Sequence, residues 1–465
     1  MESAAQASNK PVQDVRNARG LKRELRLSDL TLFAICCVTS ARWIPIAAHA
    51  GPGSIVLWLL AAAFLVAPLT VAVAALVAKY PGTGGLYHWT REDFGPWNGF
   101  ACFWLYWVGI AFLLPTAALL YTKVGFELLG PRYVHLGDNR FHLLAAALTL
   151  VWVALGSHLF GLEVGKWTEN IGAAATWVLG VLLVVIAKMV CVRRGIATPL
   201  HIVPRWNWGT LSFWAAIAYA TSGMEGPGMM AAEMHDPERT MRRAGWIASI
   251  FATAFYISAT TALLVVLPSE NISELNGFID VGNSAGNLLG ANWLSPCIAL
   301  LVFATGLGFV GGLGTATSRL PFAAAADGLL PAAFARVHPR WGTPWVSTLA
   351  LGLVASLLLI LYQLGDSLRA AYDELVSMMV ITGFIPYLYI FASAWKARRR
   401  ISAACGVLVT VAALLCSLVP PSEIDNVYLY EGKLLIGALA VIGSGWVLYS
   451  RARNVQKIFG LSKDS

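Results

Sequence analysis

Twelve apolar segments, each long enough to cross a bilayer, occupy most of this 465-residue chain. A helix needs about 20 apolar residues to cross roughly 30 Å of hydrocarbon. Hydrophobic residues make up 57% of the chain and charged residues only 12%, against about 25% charged in soluble domains. The sequence therefore predicts an all-α integral membrane protein. The segments lie at approximately 29–49, 53–78, 98–122, 141–160, 168–192, 209–233, 244–267, 293–323, 346–364, 374–395, 402–419 and 431–450.

The placement of basic residues predicts the orientation of the chain. The formal net charge is +8, and most Lys and Arg fall in tails and loops that lie inside if the N-terminus is cytoplasmic. One loop, around Arg193 and Arg194, runs against this bias. We expect cytoplasmic tails at residues 1–28 and 451–465, no cleaved signal peptide and a location in the plasma membrane. With the charge placed in this way, a lipid bilayer is the expected partner and nucleic acid is not.

Two of the apolar segments contain helix-breaking residues in their middle. The first reads LTLFAICCVTSARWIPIAAHAGPGS, with a polar patch before Pro45, and the sixth is interrupted from Ser222 to Gly228. Each opens its own group of five segments, and such matched interruptions indicate a transporter site. Unwound backbone at membrane depth is tolerated where it is buried or lines a cavity. Its free N–H and C=O groups suit a zwitterion. The alternative is a pair of simple proline kinks.

Enzyme and metal-site motifs are absent from the sequence. There is no phosphate-binding loop, HExxH or nucleophile elbow, and the seven cysteines form no CxxC motif. We therefore expect neither enzymatic activity nor a cofactor or bound metal. The stretch GLGFVGGLG (306–314) lies within an apolar segment rather than a βαβ unit, so its glycines predict close helix packing.

Three stretches resemble the amino acid–polyamine–organocation family of transporters. They are YPGTGGLYHWTREDFGPWNGFACFWLYW (80–107), YATSGMEGPGMMAAEMHDPER (219–239) with its continuation to Ala244, and ATSRLPFAAAADGLLPAAFARVHPRWGTPWVS (316–347). The resemblance implies the LeuT-type fold: a five-plus-five inverted repeat with helices 1 and 6 broken, and two further helices. The repeats would span 29–192 and 193–395, and the last two helices 396–450.

The family resemblance also implies a substrate site between the two broken helices. The carboxylate would bind near the first break and the amino group near the second, with aromatic residues lining the path. The substrate-binding candidates are Thr39, Ser40, Ala41, Arg42, Trp43, Trp104, Tyr219, Ala220, Thr221, Ser222, Gly223, Glu225 and Phe309. The gating or proton-coupling candidates are Glu225, Arg319 and Asp327.

The chain departs from the family pattern at several of these positions. The usual Gly-Ser-Gly of the first break is replaced by Thr39-Ser40-Ala41-Arg42. A lysine that some proton-coupled members carry in the fifth span corresponds to about Thr176 here, which favours exchange over the simplest proton symport.

Four charged residues within or next to the apolar segments each allow two interpretations. Arg42 costs about 2.5–3.5 kcal/mol to place mid-membrane, so it either binds an anionic substrate group or forms an ion pair with Glu225. Glu225 either titrates during transport or is a permanently paired structural group. Arg319 and Asp327 belong either to a cytoplasmic gate or to positive-inside anchoring, and the sequence favours anchoring. Glu233 is expected to pack in the loop, against Arg239 or Arg243.

The sequence predicts a secondary active transporter of amino acids that works by exchange or proton-linked alternating access. Arg42 favours an acidic or otherwise anionic substrate. A polyamine is the alternative substrate, and a transport-inactive receptor or scaffold is the alternative function. The oligomeric state is not fixed by the sequence.

Overall fold

The structure is a computed structural model. It describes residues 21, 23–130, 132–204, 208–363, 368–418 and 427–458, and most of these residues are helical. The helices are α1 (Leu27–Val38), α2 (Trp43–His49), α3 (Ser54–Ala61), α4 (Ala67–Lys79), α5 (Gly85–Phe94), α6 (Pro96–Gly125), α7 (Arg140–Leu159), α8 (Leu162–Arg194), α9 (Trp208–Ala220), α10 (Glu225–Met229), α11 (Pro237–Val266), α12 (Gly277–Leu289), α13 (Leu294–Ala326), α14 (Trp345–Gln363), α15 (Leu368–Lys396), α16 (Arg400–Ser417) and α17 (Val427–Ile458).

The helices match the apolar segments of the sequence. Within the described ranges, nine helices are long and apolar enough to cross a membrane, and a tenth span results if α1 and α2, bent by 42°, are counted together. A π-helical turn, Ala62–Val66, joins α3 to α4 into one of these spans. The two remaining predicted segments coincide with α14 and with the pair α9 and α10. The chain is thus an all-helical integral membrane protein.

Both predicted breaks are present, and their limits differ slightly from the prediction. The first break is residues 39–42, between α1 and α2, and the second is residues 221–224, between α9 and α10. The sequence placed the second break at Ser222–Gly228, but Pro227 lies inside α10. Proline is tolerated there because the first turn of a helix needs no internal donor. Pro45 occupies the corresponding turn of α2.

The two breaks lie side by side in the centre of the bundle. α1 packs against α8, α11 and α13, and α10 contacts both α1 and α13. Glycines permit the closest of these approaches: a Cβ on Gly308 of α13 would lie 2.8 Å from the Cα of Gly172 on α8. The close helix packing predicted from GLGFVGGLG is confirmed at this contact.

Two helices lie outside the twelve predicted apolar segments. α5 lies between the second and third spans, and α12 between the seventh and eighth. α5 packs against α6, α10 and α15. We call the end of the bundle that holds α5, the start of α1 and the start of α8 the inner end, following the predicted orientation.

Candidate functional site

A small cavity separates the two breaks. Its volume is about 20 Å³, which is room for about one water molecule. The lining side chains come from both broken helices and from α6 and α13; they are Cys37, Ser40, Trp43, Tyr106, Ile110, Leu113, Tyr219, Ala220, Ser222, Gly223, Glu225, Phe309 and Leu313. As the walls stand, the cavity is too small to hold a molecule the size of an amino acid.

A single tyrosine hydroxyl joins the two breaks. Tyr256 on α11 accepts a hydrogen bond from the Ser40 amide (2.9 Å), and its proton lies within reach of two carbonyl oxygens, those of Val38 (3.1 Å) and Ala220 (3.0 Å). The ring of Tyr256 stacks on Trp58, with centroids 4.4 Å apart and an interplanar angle of 6°. The hydroxyl therefore satisfies backbone groups that the breaks release.

Glu225 is hydrogen-bonded within the second break. Its Oε1 accepts from the Tyr106 hydroxyl at 2.6 Å, and its Oε2 accepts from the Gly223 amide at 3.2 Å. The same amide reaches the hydroxyl of Tyr387 at 3.2 Å. The carboxyl group is 1% exposed, so these donors replace the water that it loses on burial.

Arg42 lies next to the cavity, against one of its walls. The guanidinium carbon is 4.5 Å from the centroid of the Trp43 ring, and Nη1 is 3.9 Å from the Met379 sulfur. Trp43 in turn meets Tyr219 edge-on at 6.2 Å.

The hydroxyls of the breaks are mostly used locally. Thr39 donates to the Ile35 carbonyl at 2.6 Å and Thr221 to the Ala218 carbonyl at 2.8 Å. The Ser40 hydroxyl instead meets that of Tyr121 on α6 at 2.9 Å. Ser40 is thus held from two sides, by α6 and by α11.

Trp104 lies away from the other predicted substrate-binding residues. Its indole N–H donates to the Val441 carbonyl on α17 at 2.9 Å, and its ring stacks on Trp107. The structure therefore assigns it to packing between α6 and α17 and does not place it at the cavity. The sequence could not predict this, because a tryptophan in the middle of a span can either line a substrate path or pack against a neighbouring helix. Phe309, by contrast, lines the cavity.

Two ion pairs lie at the inner end of the bundle. Arg319 binds Glu233 in a two-point contact, Nε to Oε1 and Nη2 to Oε2, both at 2.9 Å. Its Nη1 donates to the Thr315 carbonyl at 2.9 Å. At the end of α13, Asp327 pairs with Arg91 and accepts from the Tyr87 hydroxyl at 2.8 Å.

The partner of Glu233 differs from the sequence prediction. The expected contact with Arg239 or Arg243 is wrong, because Glu233 faces inward from the 3₁₀ turn Ala231–Glu233 and is fully buried. A buried carboxylate requires a charged partner with good geometry, and Arg319 supplies it. The backbone carbonyl of Glu233 also accepts from the amides of Glu24 and Leu25, each at 3.1 Å.

Comparison of the sequence with known proteins agrees with a membrane transporter. The family model described as amino acid permease matches residues 25–421. The chain belongs to this family. An uncharacterized transporter of Legionella pneumophila is 27% identical over 92% of this chain and 96% of its own length. The probable agmatine/putrescine antiporter AguD of Lactococcus lactis is 24% identical over 94% and 96%, and the branched-chain amino acid permease BcaP of Bacillus subtilis is 25% identical over 81% and 82%.

Membership of this family indicates the general function, which is transport of an amino acid or a related amine across a membrane. The three stretches that carried the resemblance also meet in space at the inner end. Gly84 donates its amide to the Met229 carbonyl at 3.1 Å, and a Cβ on Gly84 would lie 2.5 Å from the Cβ of Ala323. With the pairs Arg319–Glu233 and Arg91–Asp327, these contacts connect all three stretches.

The sequence analysis missed four tyrosines that lie at the breaks or the cavity of this permease: Tyr106, Tyr121, Tyr256 and Tyr387. Each lies within an apolar span and is almost completely buried. A buried tyrosine hydroxyl usually has a hydrogen-bond partner, so a tyrosine in the middle of a span is a signal that could have been used. Which partner it finds depends on packing between helices distant in sequence.

Proposed function

We propose that this permease transports amino acids by alternating access, with the substrate bound between the two breaks. The observation that carries the proposal is the shared cavity: both breaks line it, and one hydroxyl, that of Tyr256, holds them together. Unwound backbone supplies N–H groups for a carboxylate and C=O groups for an ammonium. Exchange or proton-linked transport is the proposed mode, in the plasma membrane and with both termini cytoplasmic. The repeats are proposed to be 29–192 and 193–395.

We further propose that the substrate carries an anionic group, as an acidic amino acid does. Arg42 is fully buried beside Trp43, which lines the cavity. Rotation of the Trp43 ring would expose the guanidinium to the substrate, and arginine binds a carboxylate through two parallel hydrogen bonds. Glu225 accepts hydrogen bonds from Tyr106 and the Gly223 amide, and in this proposal its role is separate from that of Arg42.

A polyamine is the second candidate substrate. The observation that favours it is the relative named as a probable agmatine/putrescine antiporter, which aligns with 94% of this chain. A dicationic amine would need a carboxylate in place of Arg42 as its main contact, and Glu225 lines the cavity. An acidic substrate would therefore depend mainly on Arg42, and a polyamine mainly on Glu225.

Counterflow in proteoliposomes tests these assignments. Full-length protein is loaded with one unlabelled acidic, neutral or basic amino acid or polyamine per batch, and entry of the labelled compound is followed. We expect accumulation with acidic amino acids, and Arg42→Gln is expected to lower their rate about tenfold or more relative to neutral ones, since 1.4 kcal/mol of lost binding is tenfold. Arg42→Lys, which keeps the charge, should lie between.

The same panel contains the outcomes that contradict the proposal. Accumulation with polyamines alone would replace the acidic substrate by the amine. Equal losses for all substrates in Arg42→Gln would make Arg42 a structural residue. If no compound accumulates although the protein shows a cooperative melting transition, the transport-inactive alternative is favoured.

A further inference from the structure

A second buried polar pair lies outside the substrate cavity, between α7 and α8. His158 Nε2 is 3.4 Å from Glu169 Oε1, and the two side chains are 2% and 6% exposed. The Thr168 hydroxyl lies 3.5 Å from the same imidazole nitrogen. Nothing in the transport cycle described above uses either ionisable group.

The pair is incompletely satisfied. In the part of the chain that the structure describes, Glu169 Oε1 and His158 Nδ1 have no hydrogen-bond partner. A buried carboxylate oxygen without a donor is costly, and a structural ion pair normally has its remaining atoms hydrogen-bonded. Glu169 Oε1 and His158 Nε2 face each other at 3.4 Å and can both act as acceptors, so a proton bound between them would satisfy Oε1.

Glycines on two helices create the space for this pair. A Cβ on Gly165 of α8 would lie 2.1 Å from His158 Nδ1, and one on Gly311 of α13 would lie 3.0 Å from Nε2. Gly311 belongs to the GLGFVGGLG stretch, so that stretch both packs the helices closely and accommodates the imidazole.

The pair is connected to both breaks. The Cys36 thiol on α1, three residues before the first break, donates to the Glu169 backbone carbonyl at 3.1 Å. The helix that carries Arg319, α13, contacts both members of the pair: a Cβ on Gly311 would lie 3.0 Å from His158 Nε2, and one on Gly312 would lie 3.8 Å from Glu169 Cγ. Arg319 binds Glu233 after the second break, so α13 connects the pair to this carboxylate.

The charged and titratable groups around Glu169 come from three neighbouring elements. Among the described residues, α11 and α12, which also pack against α8, contribute none to this set. The groups are His158 on α7, Arg319 on α13 and Asp29, Cys36 and Cys37 on α1.

We propose that Glu169 and His158 form a proton-binding site whose occupancy is coupled to the inner gate, defined as the Arg319–Glu233 pair. With the gate closed, Glu233 neutralises Arg319 and Glu169 holds a proton on Oε1, shared with His158. When the gate opens, Arg319 loses Glu233, its field favours the Glu169 carboxylate, and the O–H bond breaks to release the proton to the inner side. Glu169 lies seven residues from the start of α8, about 10 Å along the helix, so the exit is short. By linkage, the proton in turn favours the closed gate.

The proposal rests on the proposed function for its role in transport, but proton binding itself is measurable without transport. Infrared spectra of the full-length protein at pH 7 are recorded, because exposed carboxyl groups are ionised at this pH. We expect the C=O stretching band of a protonated carboxyl group in the wild type and its loss in Glu169→Gln. Glu163→Gln, on the exposed first turn of the same helix, is the matched control and should keep the band. Glu225→Gln identifies any contribution from the other buried carboxyl group.

Two further variants test the pairing and the coupling. His158→Gln should keep the band but move the pH at which it disappears, and this result also stands if Glu169→Gln fails to fold. Glu233→Gln leaves Arg319 without its carboxylate, so the band should disappear at lower pH than in the wild type. A band that keeps its wild-type intensity in Glu169→Gln overturns the site. An unchanged pH profile in His158→Gln overturns the pairing, and an unchanged profile in Glu233→Gln overturns the coupling.

Counterflow separates failure of this inference from failure of the proposed function. Exchange in the wild type with no band at pH 7 would overturn the proton site alone. A band assigned to Glu169 in protein that exchanges nothing would overturn the proposed function and leave the proton site in place.

Discussion

At the scale of residues, hydroxyl and carboxyl groups hold the unwound backbone in place. Each break removes the internal partners of several N–H and C=O groups, and such groups are costly in a membrane interior unless they are satisfied. Tyr256 bonds both breaks, Tyr121 holds Ser40, and Glu225 accepts the Gly223 amide. Hydrogen bonds from a few side chains therefore stabilise the unwound backbone of both breaks.

Replacing Tyr256 by Phe tests this account of the breaks. The ring and its stack on Trp58 remain, but the Ser40 amide and two carbonyls lose their shared partner. An unsatisfied buried group costs about 1–3 kcal/mol, so we expect a lower melting temperature and a counterflow rate reduced about tenfold or more. Tyr389→Phe is the matched control, because its hydroxyl bonds Asn98 away from the breaks. Equal effects of the two variants would contradict the special role of Tyr256.

At the scale of elements, the close packing of α13 against α8 and α1 determines how the centre of the bundle is arranged. In membranes, helices associate largely through packing, and small residues at the contact let their backbones meet. Gly308 and Gly172 face each other across this contact, and Gly308 also lies beneath Cys36 of α1. The contact thus sets the distance between the broken first span and the pair His158–Glu169.

We expect Gly308→Ala to force α8 and α13 apart. The added methyl would lie 2.8 Å from the Gly172 Cα and 3.0 Å from the Cys36 sulfur, and overpacking of this kind costs about 1–3 kcal/mol. Gly156→Ala on α7 is the control, since a Cβ there meets nothing within 4 Å, and it should leave the melting temperature unchanged or slightly raised. Thermal denaturation in detergent measures both. A Gly308→Ala protein as stable as the wild type would show that the contact relaxes easily.

The elements also show what the sequence can and cannot predict. The spans and both breaks follow from apolar length and from residues such as Pro45 and Gly223, because these are local properties. The limits of the second break were misplaced because Pro227 suits a helix start as well as a break. The partner of Glu233 and the position of Trp104 depend on which helices become neighbours, and one sequence without relatives does not contain that information.

At the scale of the whole molecule, basic residues are expected to orient the bundle with both termini inside. The inner end as we define it carries the Arg319–Glu233 and Arg91–Asp327 pairs, and a cytoplasmic gate requires this end to face the cytoplasm. The basic loop around Arg193 is the feature that argues for the opposite orientation.

Fusion and labelling experiments measure the orientation directly. We expect a green fluorescent protein fused to the C-terminus to be fluorescent in bacterial cells, as it is when it folds in the cytoplasm. A cysteine at Glu274, in the loop before α12, should react with a membrane-impermeant maleimide in intact cells. A dark fusion together with an unreactive cysteine at 274 would reverse the orientation and move the gate to the outer side.

The central claim is that the two breaks together form the transport site, and Gly223 tests it most directly. Gly223 has φ +113°, and a Cβ there would lie 2.3 Å from the Cys37 carbonyl oxygen, so only glycine lets the second break lie against α1. The measurement is counterflow of the accumulated substrate by the wild type, Gly223→Ala and the control Gly443→Ala, where a Cβ meets nothing within 4 Å. We predict exchange by the wild type and the control, and none by folded Gly223→Ala. Exchange at the wild-type rate by Gly223→Ala would contradict the claim.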